Sequence, residues 1–429
     1  MNPAAWPAPQ HPAPVVATVA VPGSKSLSNR YLVLAALATG PSVLDGLLHS
    51  RDTALMIGAL RALGARIETD DSGRVRVEPI RPLDSAGEPV HVECGLAGTV
   101  MRFVPPLAAV LGIPAVFDGD PAARTRPMDT VADALRQLGC AVTGDALPLE
   151  VIPPDTAEST AAPVHVRIDA SASSQFVSGL LLAGGALPTG LIIEHTGATV
   201  PSRPHIDMTV EVLRAAGVAV TEPLDHTWHV APGRPRGLQV TVEPDLSNAA
   251  TFLAAALITS GTVTVPAWPD HTTQAGDAIR SIAEAFGGSW ELTPAGLSVM
   301  GPDRLRPVDL DLSAVGELTP VVAAVAAQVE GTSQLTGIGH LRGHETDRLA
   351  ALARELTKTG VDVVEQPAGL TITGPPSHGT RWDTYADHRM VMAGALLALL
   401  VPETVIADPG TVAKTLPEFT ELWSAMVGR

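Results

Sequence analysis

Six times along the chain, at spacings of about 70 to 76 residues, a small polar start leads into a run that is apolar on every side. The runs are "GSKSLSNRYLVLAALATG" from Gly23, "GLAGTVMRFVPPLAAVLG" from Gly95 and "SASSQFVSGLLLAGGAL" from Ser171. They continue as "DLSNAATFLAAALITSG" from Asp245, "VGELTPVVAAVAAQVEG" from Val315 and "DHRMVMAGALLALLV" from Asp387. A helix apolar all round has no face to offer water, so it must be interior. Between these runs lie segments with a one-sided apolar stripe, such as "DTALMIGALRALGARI" and "TDRLAALARELTKTGVDVV". These predict helices with one side toward solvent, followed by short β-branched strands such as "LIIEHTG" and "TVTVPAW". A fixed period of this kind is the mark of repeated supersecondary units. Six α/β units with interior first helices are expected, and Pro105 and Pro106 should kink or interrupt the second apolar helix.

Six units divide as three and three. The Pro/Gly-rich stretch "APGRPRGLQVTVEPD", residues 231–245, lies between the third and fourth and reads as a crossover. The expected division is a loose Pro-rich tail over 1–14, one discontinuous domain from 15–20 plus 241–429, and a second domain over 21–240. Each domain has three repeats.

Composition narrows the function. A formal net charge of -17 repels phosphate backbones, and 3% aromatic residues leave little for base stacking, so nucleic acid is not an expected partner. The longest apolar run, "MVMAGALLALLV", falls short of the roughly 18 residues that span a bilayer. The N-terminus has no basic start with an apolar core, and the two cysteines, Cys94 and Cys140, suggest no disulfide framework. A cytoplasmic location is expected.

Against that acidic background the starts of the apolar helices gather cations. Helix N-termini carry partial positive charge and free amide donors, which suit phosphate and carboxylate. Lys25, Ser26 and Arg30 lie at the first start, Arg102 just after the second, and Arg124 and Arg126 in "RTRPM". "SSQ", Ser173 to Gln175, opens the third, and "DHR", Asp387 to Arg389, the sixth. Only three lysines occur in 429 residues, and two of them, Lys25 and Lys414, stand at such positions. A lysine is a compact charge whose proton affinity responds to its surroundings, as that of arginine does not. Capping alone would account for the serines. It does not account for basic groups gathered at buried helix ends, where unpaired charge is costly. "PGSKS" lacks the glycines of a phosphate loop, and His340 and His344 lack a third metal ligand.

The stretches "PGSKSLSNR", "GLAGTVMRFVPP", "RTRPM", "SASSQFVSGLLLA", "GHETDRL", "YADHRMVMA" and "AKTLPEF" resemble, in order, the signatures of the 5-enolpyruvylshikimate-3-phosphate synthase family. The resemblance covers residues 15 to 428. It implies two inside-out α/β domains with buried parallel helices, outward sheets and an active site in the interdomain cleft. It implies transfer of the enolpyruvyl group of phosphoenolpyruvate to the 5-hydroxyl of shikimate 3-phosphate, with release of phosphate, on the route to chorismate and the aromatic amino acids. The resemblance further implies a monomer acting on small molecules, without metal or organic cofactor, and inhibited by glyphosate.

Carried over by motif, Lys25, Ser26, Arg30, Ser173, Ser174, Gln175, Ser202, Glu317 and His344 would bind shikimate 3-phosphate. Lys25, Gly98, Arg126, Gln175, Arg348, Arg389 and Lys414 would hold phosphoenolpyruvate. Glu317 is expected at the 5-hydroxyl and Glu345 at the methylene proton, with Lys25 stabilising developing charge. The chain departs from the family pattern at Glu317 (usually Asp), His344 (usually Lys), Leu96 (usually Asn) and His205 (often Tyr). The alternatives are a UDP-N-acetylglucosamine enolpyruvyl transferase, disfavoured because "DGDPAARTRP" lacks that enzyme's cysteine, and a non-catalytic α/β repeat ring.

Overall fold

A computed structural model describes residues 5–81, 88–154 and 162–428. Helices follow in pairs: α1 (Lys25–Leu37) and α2 (Arg51–Ala62), α3 (Gly98–Val110) and α4 (Asp129–Gln137), α5 (Gln175–Gly184) and α6 (Pro204–Ala215). Then come α7 (Leu246–Thr259) and α8 (Ile279–Ala285), α9 (Thr319–Ala326) and α10 (Arg348–Thr357), α11 (His388–Leu400) and α12 (Phe419–Met426). The first of each pair is interior, as the apolar runs require. Every residue of α7 and all of α11 up to Leu399 are buried. Each fully buried Leu or Phe side chain contributes roughly 1.5–3 kcal/mol.

The chain forms two compact units, each with its own core: Gly23–Val242, and Met1–Pro22 together with Glu243–Arg429. The crossings fall at 23 and 243, where the sequence suggested 21 and 241. The reason is strand pairing. Gln239–Thr241 runs parallel to Ser42–Asp45 in the continuous unit, and Val16–Thr18 runs parallel to Thr262–Val265 in the discontinuous one.

Five four-stranded sheets share one plan. Val90–Glu93 is parallel to Ala115–Asp118, the buried helix α3 being the crossover between them, and an antiparallel hairpin of 141–143 and 149–152 completes the sheet. Parallel neighbours need such a crossover, and the helix supplies it. The sixth sheet differs: Arg381–Trp382 is parallel to Val405–Ile406, and its antiparallel partner is Trp6–Pro7.

The loose tail expected at the start fails here, and the interruption allowed for at Pro105 and Pro106 is absent. The tail expected over 1–14 has residues 1–4 outside the described residues. From residue 5 on it is docked, with Trp6 edge-on to Phe419 at 6.1 Å, Ala8 buried and the His11 amide bonded to the Leu399 carbonyl at 2.9 Å. Proline does not prevent this, because an edge strand tolerates a missing donor. Secondly, α3 runs unbroken through Pro105 and Pro106. Pro106 removes the donor that would take the Arg102 carbonyl, and Gly179 of α5 packs there instead. A Cβ at Gly179 would lie 2.2 Å from that oxygen, so only glycine permits the approach.

Candidate active site

In the continuous unit the polar residues cluster at the starts of α1, α3 and α5. Ser24 caps α1, its hydroxyl accepting from the Leu27 amide, and Lys25 is the first helical residue. The Lys25 ammonium lies 3.7 Å from the buried carboxylate of Asp52, in the first turn of α2. Arg30, one turn further along α1, is buried. Its guanidinium donates to the Ser26 carbonyl (2.9 Å), the Thr209 hydroxyl (2.8 Å), the Ser178 hydroxyl (3.3 Å) and the His205 carbonyl (2.8 Å). It also lies over the Phe103 ring at 5.3 Å. Arg30 therefore ties the start of α1 to that of α6. Just before α6, Ser202 adopts a left-handed conformation (φ 52°), and its carbonyl accepts from the His205 amide.

Gly98, Arg126 and Gln175 come together directly. A Cβ on Gly98 would meet Arg102 Nη1 at 3.0 Å, Gln175 Oε1 at 3.1 Å and Arg126 Nη1 at 3.2 Å. Neither α3 nor α5 has a side-chain cap at this end. Arg126 Nε and Gln175 Oε1 are buried without a hydrogen-bond partner among the described residues. Buried polar atoms are almost always paired, so these two mark a place for a ligand. Arg102 is held to the Pro127 carbonyl (3.0 Å) and over the Phe176 ring (5.7 Å). Ser173 and Ser174 directly precede Gln175, whose backbone N–H donates to the Ser173 hydroxyl at 3.3 Å. Arg124 turns away to a two-point pair with Asp118.

In the discontinuous unit the candidate residues form a chain of ion pairs. Asp387 caps α11 by accepting from the Arg389 amide at 2.9 Å, and is itself fully buried. Arg348, at the first position of α10, donates to both Asp387 oxygens (2.7 and 3.3 Å) and to Glu345 (2.9 Å). Lys414 ends a short 3-10 helix, Pro409–Lys414, and donates to the other oxygen of Glu345. Burial alone would lower the Arg348 pKa. The Asp387 and Glu345 carboxylates, with a smaller push from Glu317, outweigh it and hold that pKa above its ordinary value. His344 Nδ1 lies 3.5 Å from Arg348 Nη1. Glu317 sits in the turn Gly316–Leu318 before α9 and accepts a hydrogen bond from the Ser247 hydroxyl. Arg389 Nη1 is buried with no partner among the described residues.

Sequence reasoning missed Asp52 and Ser247. Asp52 reads as an ordinary acidic first-turn residue and Ser247 as part of a capping stretch. Only their contacts with Lys25 and Glu317 set them apart.

The residue pattern of the EPSP synthase (3-phosphoshikimate 1-carboxyvinyltransferase) family matches residues 9–423. A 3-phosphoshikimate 1-carboxyvinyltransferase of Kocuria rhizophila is 53% identical over 99% of this chain and 96% of its own length. One of Mycobacterium ulcerans is 50% identical over 98% and 97%. A solved structure of EPSP synthase from Acinetobacter baumannii shares the fold, with a TM-score of 0.80 at 24% identity over 98% of this chain and 97% of that one.

Proposed function

The chain belongs to the EPSP synthase family, and from that premise we propose that it moves the enolpyruvyl group of phosphoenolpyruvate onto the 5-hydroxyl of shikimate 3-phosphate. In the addition step the 5-hydroxyl oxygen bonds to C2 of phosphoenolpyruvate, the hydroxyl proton leaves, and the methylene carbon gains a proton. In the elimination a methyl proton is lost, the C2–O bond to phosphate breaks, and phosphate departs. The chemistry needs a base at the hydroxyl and an acid, then a base, at carbon.

Glu317 takes the hydroxyl proton, oriented by Ser247. Glu345 serves the carbon, held between the Lys414 ammonium and the Arg348 guanidinium. Arg348, Arg389 and Lys414, with Gly98, Arg126, Gln175 and Lys25, hold phosphoenolpyruvate, whose phosphate and carboxylate match this density of donors. Ser26, Ser173, Ser174, Gln175, Ser202, Glu317 and His344 bind shikimate 3-phosphate. Arg30 belongs to that group through the positions it fixes for Ser26 and His205. Lys25 stabilises charge in transit.

The single observation that carries the reading is Glu345 fixed from both sides by cations, within a chain that matches the family over residues 9–423. Release of phosphate from phosphoenolpyruvate, measured with shikimate 3-phosphate and then with UDP-N-acetylglucosamine as acceptor, tests it. Turnover with the first alone is expected, and turnover with the second alone overturns the reading.

A monomer, the state the family resemblance implies, is part of this reading, and light scattering measures that mass. Among the described residues no helix is long and apolar enough to cross a membrane. Cys94 and Cys140 are free and buried, which supports a cytoplasmic setting.

A further inference from the structure

One ionisable network in the discontinuous unit lies outside the residues given a role above. Glu355 is fully buried on α10. It stands seven residues after Arg348, close to two helical turns, so the two share a stripe of the helix. Both grip the same segment. Arg348 takes Asp387, while Glu355 accepts from the Tyr385 hydroxyl and, at 3.0 Å, from the Asp383 amide. Lys358 completes the network, its ammonium 2.8 Å from Glu355 and 2.8 Å from the Asp383 carboxylate. The Arg354 guanidinium lies over the Tyr385 ring at 6.0 Å.

The gripped segment is strained. Tyr385 and Ala386 are consecutive residues with φ of 53° and 55°, a left-handed conformation that residues bearing a Cβ disfavour. Such geometry persists only where the surroundings impose it. The next residue is Asp387, which caps α11, binds Arg348 and accepts from the Arg389 amide. The direction of the Tyr385–Ala386 turn therefore sets where Asp387 and Arg389 stand.

An apolar side chain at 355 would fill the same space without the cost of desolvating a carboxylate. What the carboxylate adds is order in residues 383–386. Burial first, and then the bond to Glu355, push the Tyr385 phenol above its usual pKa, so it remains a donor at neutral pH.

We propose that Glu355 and Tyr385 form a clamp that positions Asp387 and Arg389 for phosphoenolpyruvate, a role that rests on the reading of Arg348 and Arg389 given above. Glu355 is thus a positioning residue. It acts through the turn it holds and does not touch the reacting atoms.

The test uses the full-length chain and the variants Glu355→Gln and Tyr385→Phe. In Glu355→Gln the KM for phosphoenolpyruvate rises about tenfold, equivalent to ~1.4 kcal/mol. The KM for shikimate 3-phosphate stays within about twofold, because the clamp holds residues 383–389, and none of the residues assigned to shikimate 3-phosphate lies among them. Tyr385→Phe, which removes one hydroxyl and keeps the ring, gives a smaller change in the same direction. It decides the matter if Glu355→Gln does not fold. Amide exchange over residues 383–389 should also speed up in both variants. Equal rises in both KM values, or unchanged exchange over 383–389, overturn the clamp. A wild-type chain that releases no phosphate overturns the reading of function, and the exchange measurement then still judges the clamp by itself.

Discussion

The two units carry their cations in different company. In the continuous unit Arg30, Arg102 and Arg126 meet hydroxyls, carbonyl oxygens and aromatic faces, Lys25 beside Asp52 being the exception. In the discontinuous unit Arg348 and Lys414 meet carboxylates, in a run from Asp387 through Glu345 with Glu317 nearby. Neutral partners orient a guanidinium and leave its charge for an anion. Carboxylate partners offset the charge and, in exchange, provide groups that accept and return protons. The continuous unit is thus suited to gripping anions, while the discontinuous one, whose Arg348, Arg389 and Lys414 share that task, adds the carboxylates that move protons, and the contrast between those groups shows which kinetic constant each should control.

The largest effect expected tests the proton-moving side. Glu345→Gln keeps the shape but cannot exchange a proton, so kcat falls about a hundredfold to ten-thousandfold while KM changes little. A variant with near-normal kcat would break the comparison. On the other side, Arg126→Ala removes a charged donor beside Gly98. The KM for phosphoenolpyruvate should rise roughly 10- to 100-fold, the size of a lost hydrogen bond to a charged group, with the smaller change in kcat. A fall in kcat alone would place Arg126 among the proton-transfer groups.

A finer probe is Gly98→Ala. The added methyl meets Arg102, Gln175 and Arg126 at 3.0–3.2 Å, and a crowded fit of this kind raises that KM roughly 5- to 30-fold. The wild-type chain should be inhibited by glyphosate in competition with phosphoenolpyruvate. Full activity in large glyphosate excess contradicts this, and the alanine variant should show reduced sensitivity.

The smallest effect compares one histidine from each unit. Burial lowers the pKa of His340 and of His195 below the ordinary 6.5. The unfolded chain therefore binds protons at a pH where the folded imidazoles do not. The stability they contribute is full above that value and declines as pH falls through it, until the folded rings titrate too. Thermal midpoints should drop by a few degrees between about pH 7.5 and 5.5. A flat profile would show that neither burial matters.

The interior helices were legible because nothing but burial suits a run like "FLAAALI", and the cations of the candidate site stood out because charge at buried helix starts is costly without an anion, whereas Glu317, Glu345 and Ser202 came only with the family resemblance. What remained hidden depended on the third dimension. Glu355 lies in "ARELTKTG", where an acid followed three residues later by Lys358 reads as a surface pair, yet it is buried. The proline-rich start reads as loose because its partner, Val405–Ile406, lies some 400 residues away, beyond any local pattern. Pro105 and Pro106 looked disruptive until Gly179 was seen against the freed Arg102 carbonyl.

That pairing of Trp6–Pro7 with Val405–Ile406 has a consequence for synthesis. The ribosome delivers one edge of the three-stranded sheet some 400 residues before its mate. Gly23–Val242 can collapse while translation continues. Val16–Thr18 waits for Thr262–Val265, and Trp6–Pro7 must wait longer, bearing the entropy of a very long closure, until Val405–Ile406 has emerged. Maturation of the half that holds Lys414 is thereby tied to the arrival of Val405–Ile406, and a deletion that removes Trp6 should leave that half slow to assemble rather than merely shorter.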